Sequence, residues 1–352
     1  MMTTREETLL KLSRKRYEIE PGQSYIIDRF RPDDARGVAR CFYAVYGEAY
    51  SLETVYIPEA LIQANADGRL YSIVARSFRG DVLGHCALYP APQYASLYEK
   101  GMLVVVPAYR NGAIAKQLVR YGLDVLAPQV PAQEIFGKAV CNHTISQQIG
   151  ADCGFVETAL ELDYIPEEAY KKEQSATGPV SALWMFRSYR DRPHEVFFPV
   201  TYEEVLDFIY SGISSRRSVT RISETSALQA PSRMQLRFFG LQKVARIYVE
   251  LIGSDVAAAI EALEQTARDQ GSAIMQVYLP MNCAPAAAAI EGLRLKGYFL
   301  GGILPRWFDG DGLMMQKLYS EPHFDFIRLY SQRAEQLLEF IRRDWKEAAA
   351  NL

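Results

Sequence analysis

Apolar residues in this chain come in short runs that alternate with amphipathic stretches, and this alternation constrains the fold more than any other feature. Runs at 25–30, 70–78, 82–88, 101–106, 134–141, 155–162 and 181–189 have the length and spacing of strands. Between them, 32–46 carries Val38, Cys41, Phe42 and Val45 on one helical face, behind a Pro32-Asp33-Asp34 start. Residues 111–126 and 143–153 also read as helices, and Arg79-Gly80-Asp81 between two apolar runs reads as a hairpin turn. The order from residue 25 is strand, helix, three strands, helix, strand, helix, two strands. That is an α/β chain (α+β mixed sheet), with parallel neighbours expected at the central strand–helix–strand portion.

A second unit begins after Arg192-Pro193. It reads as a helix at 200–213, a polar, turn-rich stretch at 214–231, strands at 235–239 and 244–252, and an Ala-rich helix at 255–269. A strand at 274–279, a helix at 285–296, strands at 298–304 and 313–318, and a long amphipathic helix at 324–349 follow. That last helix offers Phe326, Leu329, Tyr330, Leu337, Ile341 and Trp345 for packing. The expected division is an N-terminal arm (1–22), a first domain (23–192), a second domain (193–320) and a C-terminal helix (321–352). The length of 352 residues suits about two domains of roughly 150 residues. The two halves also repeat a spacing. Arg110 precedes Gly154-Phe155 by 44 residues, and Gly253 precedes Gly297-Tyr298 by 44, which points to an internal duplication.

Composition removes several classes of function. With 39 basic against 42 acidic residues the net charge is −3, which argues against a chain-wide nucleic-acid binder. The longest apolar stretches, 101–109 and 180–186, fall well short of the ~20 residues that span a membrane. The N-terminus has no apolar core of a secretory signal. Five scattered cysteines (Cys41, Cys86, Cys141, Cys153, Cys283) without a CxxC read as reduced thiols, and four scattered histidines without HExxH give no metal spacing. The expectation is a cytoplasmic protein with no metal, no membrane segment and no nucleic-acid partner.

The stretch 105–116, VVPAYRNGAIAK, carries the most chemistry. A strand ends at Pro107 and a helix opens on small residues. Free N–H groups and the dipole at a helix start attract an anion. Gly112, Ala113 and Ala115 let it approach the backbone, and Arg110, Lys116 and Arg120 add positive charge. An ordinary strand–helix turn with a charged surface is the plain alternative.

A strand followed by V-x-P-x-Y-R-x-x-G-x-G/A and an amphipathic helix resembles the acyl-CoA pyrophosphate loop of the GNAT acetyltransferases. Here the loop reads R-N-G-A-I-A, with Ala113 and Ala115 where glycines are usual. Downstream, 143–155 (HTISQQIGADCGF) resembles the family's N-x-x-A-x-x-x-Y-x-x-x-G-F helix. The resemblance covers roughly 25–190. It implies two GNAT-like domains, each a mixed, mostly antiparallel sheet flanked by helices, the second degenerate. It also implies acetyl-CoA or another acyl-CoA as cosubstrate. Leu103, Val104 and Val105 would offer backbone groups to the pantetheine arm. Arg110, Asn111, Gly112, Ala113, Ile114, Ala115 and Lys116 would cradle the pyrophosphate, with His143 and Ser146 beside the pantetheine.

The family's mechanism is direct attack of an amine on the thioester, which needs a base and an acid. The family's usual acid, a tyrosine four residues before Gly-Phe, is replaced by Gly150. Glu99 and His85 are the candidate bases. Their plain alternatives are a solvated turn residue and a satisfied, half-buried histidine. Aromatics at Phe42, Tyr43, Tyr46, Tyr50 and Tyr56 suggest an acceptor pocket with Tyr46 and Tyr50 as contacts, or simply core packing.

In the second half the matching corner reads Leu251-Ile252-Gly253-Ser254-Asp255, without an arginine. Ser254 and Asp255 are expected to cap the helix and to exclude a pyrophosphate. The loop from Pro305 to Gly312 reads as a hairpin with a packed Trp307, or as a lid with Arg306 and Trp307 as binding groups. The expected activity is acyl-CoA-dependent N-acetyltransfer to a small-molecule or peptide amine. The alternatives are a non-catalytic acyl-CoA sensor or scaffold, or transfer to a hydroxyl or a protein lysine.

Overall fold

The computed structural model describes residues 4–14, 18–50, 52–170, 174–222 and 231–350. Parts of the expected N-terminal arm, of the polar loop near 171–178 and of the 214–231 stretch lie outside the described residues. The chain divides into two compact units, 1–137 with 167–177 and 138–166 with 178–352. The span expected as the first domain contributes residues to both.

The first unit contains α1 (Arg5–Arg14), β1 (Tyr25–Arg29), α2 (Ala35–Tyr46), α3 (Pro58–Ala66), β2 (Tyr71–Ser77), β3 (Val82–Pro90), β4 (Leu97–Val105), α4 (Ile114–Tyr121) and the start of β5 (Glu134–Val140). Its sheet runs β1-β2-β3-β4-β5. All neighbours are antiparallel except β4 and β5, which are parallel. The β2–β3 hairpin turns at Gly80, whose φ of +89° favours glycine. The α2 face expected from the sequence is buried, Val38, Cys41, Phe42 and Val45 included.

The helix expected at 111–126 is α-helical only over Ile114–Tyr121 and continues as a π turn over Gly122–Leu126. Ile114, Leu118 and Val119 are its buried residues, each worth roughly 1.5–3 kcal/mol on burial. Gly84 makes that packing close. A Cβ there would stand 2.9 Å from the Val104 carbonyl oxygen and 3.0 Å from Ile114 Cγ2.

The second unit holds the end of β5, α5 (Ile145–Asp152), β6 (Val156–Ile165), β7 (Val180–Ser188), β8 (His194–Pro199), α6 (Glu203–Ser211), β9 (Arg217–Ile222), β10 (Arg233–Phe239) and β11 (Val244–Leu251). It continues with α7 (Val256–Asp269), β12 (Ile274–Pro280), α8 (Ala286–Arg294), β13 (Phe299–Leu304), β14 (Gly312–Leu318) and α9 (Gln332–Ala349). The strands run β7-β6-β13-β14-β12-β11-β10, with β8 and β9 as a separate parallel pair. As with β4 and β5, β11 and β12 are parallel and joined by one helix. β13 meets β6 at Gly302, opposite Ala159.

Three expectations are corrected here. The final helix starts at Gln332, because Ser331 caps it through the Ala334 N–H; Phe326 and Tyr330 precede it and are exposed. Arg306 and Trp307 do not form a lid. Both are buried, and Trp307 packs edge-on against Trp184 and Tyr278. Asp255 makes no side-chain cap to α7. Among the described residues no helix is long and apolar enough to cross a membrane.

Candidate acyl-CoA site

The site is built from the way β4 leaves its neighbours. On one side β4 stays paired with β3 as far as Val105, opposite Gly84. On the other side its ladder with β5 covers only Leu97–Glu99, opposite Glu134–Phe136. Just beyond, Gly137 lets the Lys100 side chain cross, with Cε 2.8 Å from where a Cβ would stand.

A bulge accompanies the parting. The register with β3 shifts between His85 and Ala87, and Met102 takes φ +53°. Past the bulge the Val106 N–H donates to the Leu83 carbonyl at 2.9 Å. By the alternation of an antiparallel ladder, the N–H and C=O of Val105 then face away from β3. Leu103 and Val105 are half-buried, while the Val104 side chain is buried in the core.

The chain then turns through a 3₁₀ helix at Pro107–Tyr109. The Tyr109 hydroxyl fixes this turn, donating to the Glu20 carbonyl at 2.7 Å and accepting from the Gln23 N–H at 2.8 Å. Asn111 takes the left-handed conformation (φ +64°), which asparagine tolerates better than most residues. The N-cap of α4 is Ala113, with no side-chain cap bond. A methyl offers no oxygen to the first-turn N–H groups, so the helix start presents donors and positive dipole to whatever approaches.

A Cβ on Gly112 would meet only the Tyr109 carbonyl oxygen, at 3.6 Å. The glycine is therefore not forced by the fold; the missing side chain leaves room outside it. Arg110, Asn111, Gly112 and Ala113 are exposed, and Ala115 and Lys116 half-buried. Arg110 Nε lies 3.4 Å from the Val105 carbonyl oxygen, so the guanidinium stays beside the strand end.

His85 is not placed as a base. It is fully buried, and both ring nitrogens are engaged, Nδ1 with the Met102 carbonyl (2.9 Å) and Nε2 with the Ser72 hydroxyl (3.0 Å). A carbonyl only accepts, so Nδ1 carries the proton and Nε2 accepts from Ser72. Burial pushes its pKa down to about 4. The imidazole pins the bulge instead of facing a substrate.

Glu99 is half-exposed at the last position of β4 that pairs with β5. The Tyr50 ring lies 4.6 Å from Phe42 and 5.1 Å from Tyr46, which brings the aromatic group of α2 together. Burial first, then the charges of Tyr46 and Glu99, raise the Tyr50 pKa well above its ordinary value. Tyr56 is core, with its hydroxyl on the Gly47 carbonyl (2.7 Å).

The remaining expected residues belong to the second unit. His143 precedes α5 and Ser146 lies in its first turn; among the described residues the shielded Ser146 hydroxyl makes no hydrogen bond. At Gly150 a Cβ would meet the tip of the Met185 side chain, Sδ at 2.9 Å and Cε at 3.0 Å, so α5 packs closely there against β7. The cysteines are free thiols, four of them buried; burial raises the Cys141 pKa to about 12.

The first unit therefore brings together a strand that parts from one neighbour and a helix start without a side-chain cap. No family model matches the chain, and no curated protein matches it. Several solved structures match about half of it. The ribosomal-protein-S5-alanine acetyltransferase from Vibrio fischeri is 14% identical, covering 50% of this chain and 97% of its own, with a TM-score of 0.38. The ribosomal-protein-alanine N-acetyltransferase from Brucella melitensis is 17% identical over 47% and 99%, with a TM-score of 0.38. A protein from Desulfovibrio desulfuricans, described as a GNAT-family acetyltransferase, is 13% identical over 47% and 99%, with a TM-score of 0.37.

Proposed function

We propose that the chain is an acyl-CoA-dependent N-acyltransferase, with acetyl-CoA as default donor and a small-molecule or peptide amine as acceptor. The carrying observation is that β4 keeps β3 to Val105 but loses β5 after Glu99, and that the turn after Val105 leads into the uncapped start of α4. Acyl-CoA supplies a thioester that an amine attacks. In this reading the backbone of Leu103 and Val105 holds the pantetheine amides, as a further strand would. The N–H groups of Gly112, Ala113, Ile114, Ala115 and Lys116 hold the pyrophosphate, and the charges of Arg110 and Lys116 assist.

Glu99 takes the proton from the substrate ammonium, and Tyr46 and Tyr50 offer ring faces to that cation. The second half is read as a GNAT-like domain without acyl-CoA. One observation favours a second reading, a non-catalytic acyl-CoA sensor: Gly150, which has no ionisable side chain, stands where the resemblance places the usual acid.

Thiol release from acetyl-CoA, followed across a panel of amines, separates the two. Turnover that falls by about 10²-fold in Glu99→Gln, with CoA affinity retained, supports the enzyme. Tight binding with no turnover on any amine supports the sensor.

A further inference from the structure

Glu99 faces Tyr89 directly across the β3–β4 ladder, and Ala87 faces Gly101. Alternation along a strand puts the side chains of residues 89, 99 and 101 on one face. The phenol leans along that face. A Cβ at Gly101 would lie 2.5 Å from the Tyr89 hydroxyl and 3.3 Å from its nearest ring carbons. The hydroxyl thus lies within reach of the Glu99 carboxylate.

We propose that Tyr89 is a positioning residue for Glu99, and that residue 101 is glycine because the Tyr89 phenol fills the space of its Cβ. The proposal rests on the reading of Glu99 as the base. A glutamate side chain with three free torsions points in many directions. A fixed donor on the carboxylate selects one direction. Donation to the carboxylate also favours its charged form, the form that takes a proton. The clamp sits where β4 leaves β5, since Glu99 ends that ladder and Met102 begins the bulge. Burial, together with the negative charge of Glu99, keeps the Tyr89 hydroxyl protonated and therefore a donor.

The test compares Tyr89→Phe, Gly101→Ala and the double variant with the wild type. Gly101→Ala leaves both functional groups intact and displaces only the tip of a side chain, so thermal melts should show all three folded. We expect each single variant to lower kcat by about tenfold while leaving the KM for acetyl-CoA unchanged. We expect the acid limb of the kcat/KM profile to move up by about one pH unit, and the double variant to be no worse than Tyr89→Phe. A Gly101→Ala enzyme with wild-type kcat and pH profile, or a double variant in which the losses multiply, overturns the proposal.

The carboxyl ¹³C titration of Glu99, assigned by its loss in Glu99→Gln, separates this proposal from the reading beneath it. An upward shift in both single variants of a chain that turns nothing over upholds the positioning and removes the base role. No shift removes the positioning.

Discussion

The Ser232 N–H donates to Asp255 Oδ1 at 2.6 Å, and the Ser232 hydroxyl accepts from the Gly253 N–H at 2.9 Å. A residue from before β10 thus occupies the β11–α7 corner, and Asp255 bonds it instead of capping α7. This bond, backbone first, holds the Asp255 carboxyl below the usual carboxylate range.

Asp255→Ala should therefore leave acyl-CoA affinity and a stoichiometry of one per chain unchanged, because Ser232 still covers Gly253. Calorimetric titration of the variant checks this. A second equivalent of bound CoA would mean that Asp255 alone had closed the corner. Lost affinity would mean that the second half holds the ligand.

Two glycines should respond in opposite senses to alanine. At Gly302 (φ +129°) a Cβ would stand 2.3 Å from the Thr158 carbonyl oxygen and 2.4 Å from Ala159 Cα, both backbone atoms that cannot swing away. Gly302→Ala should cost about 3 kcal/mol or more. Gly292, inside α8, has nothing within 4 Å, so Gly292→Ala should stabilise by up to about 1 kcal/mol. Denaturant unfolding of both variants measures the pair. A Gly302→Ala chain as stable as the wild type would contradict the close β13–β6 crossing.

The contrast between the two corners shows what was legible in the sequence. The turn at 107–113 is local: a proline stop, small residues and a helix start within a dozen positions, so its character was readable. The capture of Asp255 by Ser232, 23 residues earlier, was not, since a capping residue's alternative partner leaves no local mark. The same reason hid the β8–β9 pair. Its strands are separated by α6, and β9 (RSVTRI) is mostly exposed and reads as polar loop. His85 looked like a candidate base because a histidine on a strand carries no sign of depth. Its contacts with Met102 and Ser72 become visible only when β2, β3 and β4 stand side by side. Glu99 kept its candidacy for the converse reason, that the end of a ladder leaves its side chain half-exposed.

His85 also sets a pH dependence. Its folded pKa, lowered by burial to about 4, lies below the ordinary value near 6.5. Between these values the unfolded chain binds a proton that the folded chain refuses, so stability falls as pH drops through this window. The loss reaches about 3 kcal/mol at its lower end. Urea midpoints at several pH values between 7 and 4 should show this slope, and His85→Asn should flatten it. An equal slope in the variant would assign the acid sensitivity to other groups.

The central claim is that the start of α4 holds an acyl-CoA pyrophosphate. Calorimetric titration with acetyl-CoA and CoA, on the wild type and on Gly112→Asp, tests it most directly. The side chain at 112 has open space around its Cβ, so the variant keeps its fold while placing a carboxylate where the phosphates belong. One site per chain in the wild type and none in the variant is the predicted result. Equal binding by both, or no binding by the wild type at millimolar ligand, would contradict it.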